Sequence, residues 1–196
     1  QVIANIAKSL PVDFKLYVKE HPQMNLRHWR EISDYKEIME LPNVKLIHPS
    51  VDPKLLLDKC SIAINIAGTA GLEAALYEKP SIVFSDVIYA SLPSVYRLKN
   101  LEELPTAIRE SLKVKVKLSD VNEFMNLLHR NSFEFDFFGH DKKIFDEFHG
   151  GGFLISNEIS IKDLKVFFEK NKESYDKLTL EHIKKINQYK KLEKID

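Results

Sequence analysis

The chain of 196 residues holds a single cysteine, Cys60. That excludes an internal disulfide and a cysteine-based metal site. Cys60 lies between a helical run and an apolar strand and reads as a small buried residue. Net charge is absent too: Lys+Arg and Asp+Glu both count 29. This balance argues against a generic nucleic-acid or polyanion binder. No apolar run approaches the roughly 20 residues of a membrane span, and there is no internal repeat.

What is present fits a globular domain. Hydrophobic residues make up 44% and charged ones 30%, so a chain of this length can bury a real core in one domain or one and a half. The most informative stretch runs from Cys60 to Ser85, CSIAINIAGTAGLEAALYEKPSIVFS. Ile62 to Ile66 reads as a buried strand. Ala67-Gly68-Thr69-Ala70-Gly71 is a small-residue loop, and Leu72 to Tyr77 forms a helix that Lys79-Pro80 ends. Ser81 to Phe84 is the next strand. Such a loop leaves backbone N–H groups unpaired where the helix dipole is positive, which suits a phosphate. Thr69 can cap the helix and donate its hydroxyl to a ligand. Glu73, one turn on, is placed to accept from a sugar hydroxyl.

The first half alternates throughout. Gln1 to Ser9 is a helical pattern. Phe14 to Val18 and Val44 to His48 read as strands. Asn25 to Arg30 is loop or short helix, and Asp34 to Leu41 is helical. Asp52-Pro53 starts a helix to Lys59, with Asp as N-cap and Pro at its first position. The pattern blurs from Tyr89 to Arg97, and Leu98 to Lys113 contains a helix broken or restarted near Pro105. Four strands separated by helices predict a parallel α/β sheet whose ligands sit beyond the C-terminal strand ends. Those ends carry His21, His48-Pro49-Ser50, Gly68-Thr69 and Ser85-Asp86. His48-Pro49-Ser50 reads first as a strand-ending turn, with a base or ribose contact as the lesser reading.

From Lys117 the character changes. Val121 to His129 reads as a helix, Ser132 to Phe138 alternates aromatic and acidic residues, and Gly150-Gly151-Gly152 is a break. Ser160 to Asp163 starts a Lys- and Glu-rich helical region that runs to Asp196. Its mixed charge points to a solvated or docking helix. His140, Asp141 and His149 fit no strong metal-ligand spacing, and the histidines read as solvent-exposed.

Lys19-Glu20-His21-Pro22 after a strand, Leu41-Pro42-Asn43-Val44 before the next, and Gly68-Thr69-x-x-Leu72-Glu73-Ala74-Ala75 followed by Lys79-Pro80 form an ordered set. Over residues 1–113 this set resembles the C-terminal, donor-binding half of GT-B glycosyltransferases. It is most similar to the bacterial capsule polysaccharide biosynthesis group, which includes the Kdo transferases. The resemblance implies a Rossmann-like parallel sheet flanked by helices, one half of a GT-B fold, with a helical appendage. Residues 1–115 would form the nucleotide-sugar-binding domain and 116–196 the helical extension.

It further implies that His21 and Thr69, with Gly68, contact the phosphate of a nucleotide-sugar donor, in many members CMP-linked, and that Glu73 holds the ribose. The family loop often carries two hydroxyl residues; here it is Ala67-Gly68-Thr69. No cofactor is expected. The implied partners are the donor, a glycan or glycolipid acceptor and an N-terminal GT-B domain, with peripheral association at the inner face of the membrane and a cytoplasmic location. Gln1 stands inside a helical pattern, so upstream sequence carrying the catalytic base is expected, and residues 1–196 alone should show little transferase turnover. A sugar-nucleotide epimerase and a non-catalytic nucleotide-binding or assembly module are the competing readings.

Overall fold

A computed structural model describes residues 1–21, 30–151 and 158–192. The chain divides into two compact units, Gln1–Leu128 and His129–Asp196. Most of the stretch 25–30 read above as loop or short helix lies outside the described residues.

The first unit opens with α1 (Val2–Ser9), whose inner face buries Ile6 and Ala7. Leu10-Pro11 ends it, since the residue before proline is held extended; Leu10 has φ −69° and ψ 146°. β1 (Leu16–Lys19) begins two residues later than expected, because Phe14 is still in a turn, donating from its N–H to the Pro11 carbonyl at 3.0 Å. There follow α2 (Ile32–Met39), β2 (Val44–Ile47) and α3 (Pro53–Lys59). α3 starts as its sequence dictates: the Asp52 carboxylate accepts from the Lys54 N–H at 2.9 Å, and Pro53 fills a position whose N–H would have no helical partner. β3 (Ala63–Asn65), α4 (Ala70–Leu76) and β4 (Ser81–Val83) form the strand–loop–helix–strand core of the sequence reading.

A fifth strand, β5 (Val95–Arg97), lies in the stretch that the pattern left blurred. Three residues are too few to show a period. After it come α5 (Leu104–Ser111), with Pro105 in its first turn, and α6 (Leu118–Asn131).

The fold is α/β and Rossmann-like, and all its strand pairs are parallel. The strands form two ladders, β1–β2 and β3–β4–β5. Side chains, not backbone bonds, give these ladders a common core. Leu16 of β1 and Ile62 and Ile64 beside or in β3 pack on one cluster with Ile6 of α1 and Leu104, Ala107 and Ile108 of α5. β4 is sealed on both faces, as the central strand of a parallel sheet should be. Strand alternation sends Ile82 to that cluster and Val83 to a second one, with Ala75 of α4, Tyr89, Leu92 and Val95. Val121 and Phe124 of α6 complete the second cluster, so this unit's core takes in residues beyond position 115.

α4 ends in a Schellman turn. The Glu78 N–H donates to Ala75 at 3.1 Å and the Lys79 N–H to Ala74 at 2.9 Å. The left-handed position is held by Glu78, at φ 57°, and not by glycine.

The second unit contains α7 (Phe137–Phe148), α8 (Ile161–Lys170) and α9 (Lys172–Leu192). Asp136 caps α7 by accepting from the Gly139 N–H at 2.9 Å, and Ser160 caps α8 by accepting from the Asp163 N–H at 3.1 Å. Gly150 and Gly151 adopt positive φ, 54° and 83°, and end α7; Gly152 lies outside the described residues. Aromatic rings meet edge-on or tilted here, Phe148 with Phe167 at 5.0 Å and Phe168 with Tyr175 at 4.7 Å.

Candidate functional site

The loop between β3 and α4 is fixed from beneath. Asn65, the last residue of β3, donates from Nδ2 to the Gly68 carbonyl at 2.8 Å and to the Tyr89 hydroxyl at 3.1 Å. Tyr89 donates its own proton to the same Gly68 carbonyl. Asn65 Oδ1 is buried without a hydrogen-bond partner among the described residues. Gly71 lets α4 close on this network: a Cβ there would stand 2.9 Å from Asn65 Oδ1, Ser81 Oγ and Tyr89 Cε2. Gly68 is the opposite case, with no atom within 4 Å of the place a Cβ would take.

Thr69 occupies the N-cap position of α4, and its carbonyl accepts from the Glu73 N–H at 3.0 Å. Its hydroxyl does not cap the helix, which corrects the sequence expectation. The backbone of Thr69 is helical, φ −78° and ψ −8°, whereas a capping side chain is usually carried on an extended backbone. The hydroxyl donates instead to Glu73 Oε1 at 2.7 Å. Gly68, Thr69 and Glu73 therefore form one exposed to half-buried cluster.

The neighbouring strand exit is tied to this loop. The Ile66 carbonyl accepts from the N–H groups of Phe84 at 3.2 Å and Ser85 at 3.1 Å, and from the Ser85 hydroxyl at 2.7 Å. Ser85 thus serves the framework. Asp86 pairs with Arg97 at the end of β5, 3.1 Å apart, with both side chains more than half exposed.

His21 stands exposed two residues past the C-terminal end of β1, in the other ladder. Glu20 beside it is only 11% exposed and accepts from Arg30 Nε at 2.5 Å and from the Tyr35 hydroxyl at 2.8 Å. The bond to Glu20 pushes the Tyr35 phenol above its ordinary pKa, because the carboxylate favours the protonated hydroxyl. At the end of β2, His48 Nδ1 meets the Ser50 hydroxyl at 2.7 Å and accepts from the Ser50 N–H at 3.2 Å. The Val51 N–H closes the turn on the His48 carbonyl at 3.0 Å. His48-Pro49-Ser50 is the strand-ending turn expected first.

Cys60 is half-buried, and burial pushes its thiol pKa up, so the thiolate is disfavoured. His140 and His149 are half-buried, not solvent-exposed as the sequence suggested, and Asp141 is half-buried as well. The aromatic packing of the second unit accounts for the histidines. The His140 ring sits edge-on to Phe135 at 5.5 Å and Tyr175 at 4.9 Å, and His149 lies 5.7 Å from the Phe145 ring. Among the described residues no group of three or more His, Cys, Asp or Glu could hold a metal ion. No helix among them is long and apolar enough to cross a membrane.

Sequence reasoning missed Asn65, Tyr89, Arg30 and Tyr35. Asn65 carried a usable signal, a polar residue inside an apolar run. Tyr89 carried none, since it stands at the start of the blurred stretch.

The family model described as capsule polysaccharide biosynthesis protein matches residues 1–138. No curated protein and no solved structure matches the chain. With the match spanning the whole α/β unit, the chain belongs to the capsule polysaccharide biosynthesis protein family, and its role lies in surface-polysaccharide synthesis.

Proposed function

From that membership we propose that the chain is the donor-binding part of a GT-B glycosyltransferase acting on a nucleotide-activated sugar, CMP-linked by family resemblance. His21, Gly68 and Thr69 receive the donor phosphate and Glu73 the ribose. The acceptor is a glycan or glycolipid, and an N-terminal GT-B domain supplies the other wall of the cleft. The work is cytoplasmic, at the inner face of the membrane.

One observation carries this reading. A trans peptide points its C=O and N–H in opposite directions, and the chain has no cis peptide among the described residues. Asn65 and Tyr89 hold the Gly68 carbonyl from within. The Thr69 N–H, on the other side of that peptide, is thereby turned outward beyond a parallel strand end. A phosphate leaving with its bonding electrons gains negative charge. A fixed N–H donor and an imidazole stabilise that charge without reorganising. Glu73 Oε1 is engaged by Thr69, and a carboxylate keeps further lone pairs for a ribose hydroxyl.

The engagement of the Thr69 hydroxyl also favours a second reading, a nucleotide-binding module without turnover. Thermal unfolding of the chain with CMP, CDP, UDP and GDP tests donor binding. At about 100 times Kd a ligand adds about 2.7 kcal/mol, a rise of roughly 5–10 °C for a chain of this size. A selective rise with one nucleotide is expected. No rise with any of the four overturns both readings. Sugar release from the matching nucleotide sugar, measured with the N-terminal GT-B domain supplied, then separates the enzyme from the module.

A further inference from the structure

We infer that Glu20 is a positioning residue: clamped by Arg30 and Tyr35, it sets His21 in place for the donor phosphate and keeps its own charge from opposing that phosphate. This rests on the reading of His21 given above.

A carboxylate is rarely buried unless paired. The Glu20 side chain is 11% exposed, and each of its oxygens has its own donor, Arg30 Nε on Oε1 at 2.5 Å and the Tyr35 hydroxyl on Oε2 at 2.8 Å. Two charge-assisted bonds to different groups fix both the position and the rotation of the carboxylate. Tyr35 stands on α2 and Arg30 just before it. The clamp therefore ties the exit of β1 to the helix that follows.

The change in burial from Glu20 to His21 carries the consequence to the next residue. Leu16, Val18, Lys19 and Glu20 are half-buried, while Tyr17 and His21 are exposed. Successive residues of an extended chain face opposite sides, so a Glu20 held inward leaves His21 outward. Neighbouring Cα atoms are about 3.8 Å apart, so fixing one places the other closely. Charge matters as well. An unpaired carboxylate one residue from a phosphate-binding histidine would repel the ligand. Arg30 neutralises it, and the Tyr35 hydroxyl occupies its second oxygen.

The test is a thermodynamic cycle on the full chain. Wild type, Glu20→Ala, His21→Ala and the double variant are titrated by calorimetry with whichever of CMP, CDP, UDP and GDP gives the largest thermal shift. Loss of a charge-assisted contact should make His21→Ala bind roughly 10- to 100-fold more weakly. Glu20→Ala should bind roughly tenfold more weakly. The double variant should be no weaker than His21→Ala alone, because a residue that acts through His21 has nothing left to position. Unchanged affinity in Glu20→Ala, or fully additive losses, overturns the inference. If Glu20→Ala does not fold, Tyr35→Phe, which removes one hydroxyl, completes the same cycle. Arg30→Ala should also weaken binding, and Glu20→Gln in that background should recover part of it; no recovery overturns the charge component. A wild type that binds while His21→Ala binds equally well removes the His21 reading and this inference together. A wild type that binds nothing removes the proposed function itself.

Discussion

The two units are held together in different ways. In the first, the sealed residues are aliphatic and small: Ala74, Ala75, Ile82, Val83, Leu104, Ala107 and Ile108 have no exposed surface. In the second, Phe167 is the one buried residue among those described, and the other ring pairs stay partly open to solvent. The sheet unit interlocks branched side chains on both faces of β4. The helical unit lays aromatic edges against faces along exposed helices. Where a strand is closed on both sides, each methylene has a partner and its loss leaves a void. Where rings meet at a wet surface, the gain is the ring contact itself, roughly 0.5–1.5 kcal/mol per pair.

The sharpest way to break this contrast is a pair of truncations. Ile82→Ala, in the closed strand, should lose roughly 2–5 kcal/mol in urea unfolding. Phe168→Ala, 46% exposed beside Tyr175, should lose only roughly 0.5–1.5 kcal/mol. Equal losses would erase the distinction. A finer probe stays inside the first unit. Gly71→Ala drives a methyl into three atoms and should cost roughly 1–3 kcal/mol. Gly68→Ala, with open space around it, should leave the unfolding midpoint nearly unchanged. If both glycines tolerate alanine, the approach of α4 to the strands is looser than described. A small effect of the opposite sign is expected at the end of α4. Glu78 pays backbone strain at φ 57°, so Glu78→Gly should stabilise by roughly 0.5–1 kcal/mol. A loss there would mean that the Glu78 side chain contributes more than its strain removes.

Elements with a local chemical start were legible in the sequence. Asp52-Pro53 and Ser160 announce their helices because capping is decided by a few adjacent residues. The strand–loop–helix–strand unit from Ile62 to Phe84 was legible because apolar run, small residues and proline follow one another. β5 was not, since Val95-Tyr96-Arg97 becomes a strand only by pairing with Ser81-Ile82-Val83. The candidate site was legible in the same proportion. The exposed residues Gly68, Thr69 and His21 could be named from their places at strand ends. Their supports could not, because Tyr89 reaches Gly68 across 21 positions and Tyr35 reaches Glu20 across 15. The Thr69 cap failed for a subtler reason: residue type suggests a cap, but the backbone angle decides it.

The separate ladders have a consequence for the order in which this chain gains structure. Leu16 pairs with Val44 about 28 positions on, whereas Ser81 pairs with Val95 only about 14 on, and each doubling of a loop costs about 0.6 kcal/mol of closure entropy. The β4–β5 crossover is therefore the cheaper to close, and the β1–β2 crossover the dearer. Because the two ladders are linked through side chains, the first can open without unzipping the second. Amide protons of β1 and β2 should then exchange with solvent sooner than those of β4, leaving the histidine arm of the molecule to fluctuate over a floor that stays folded.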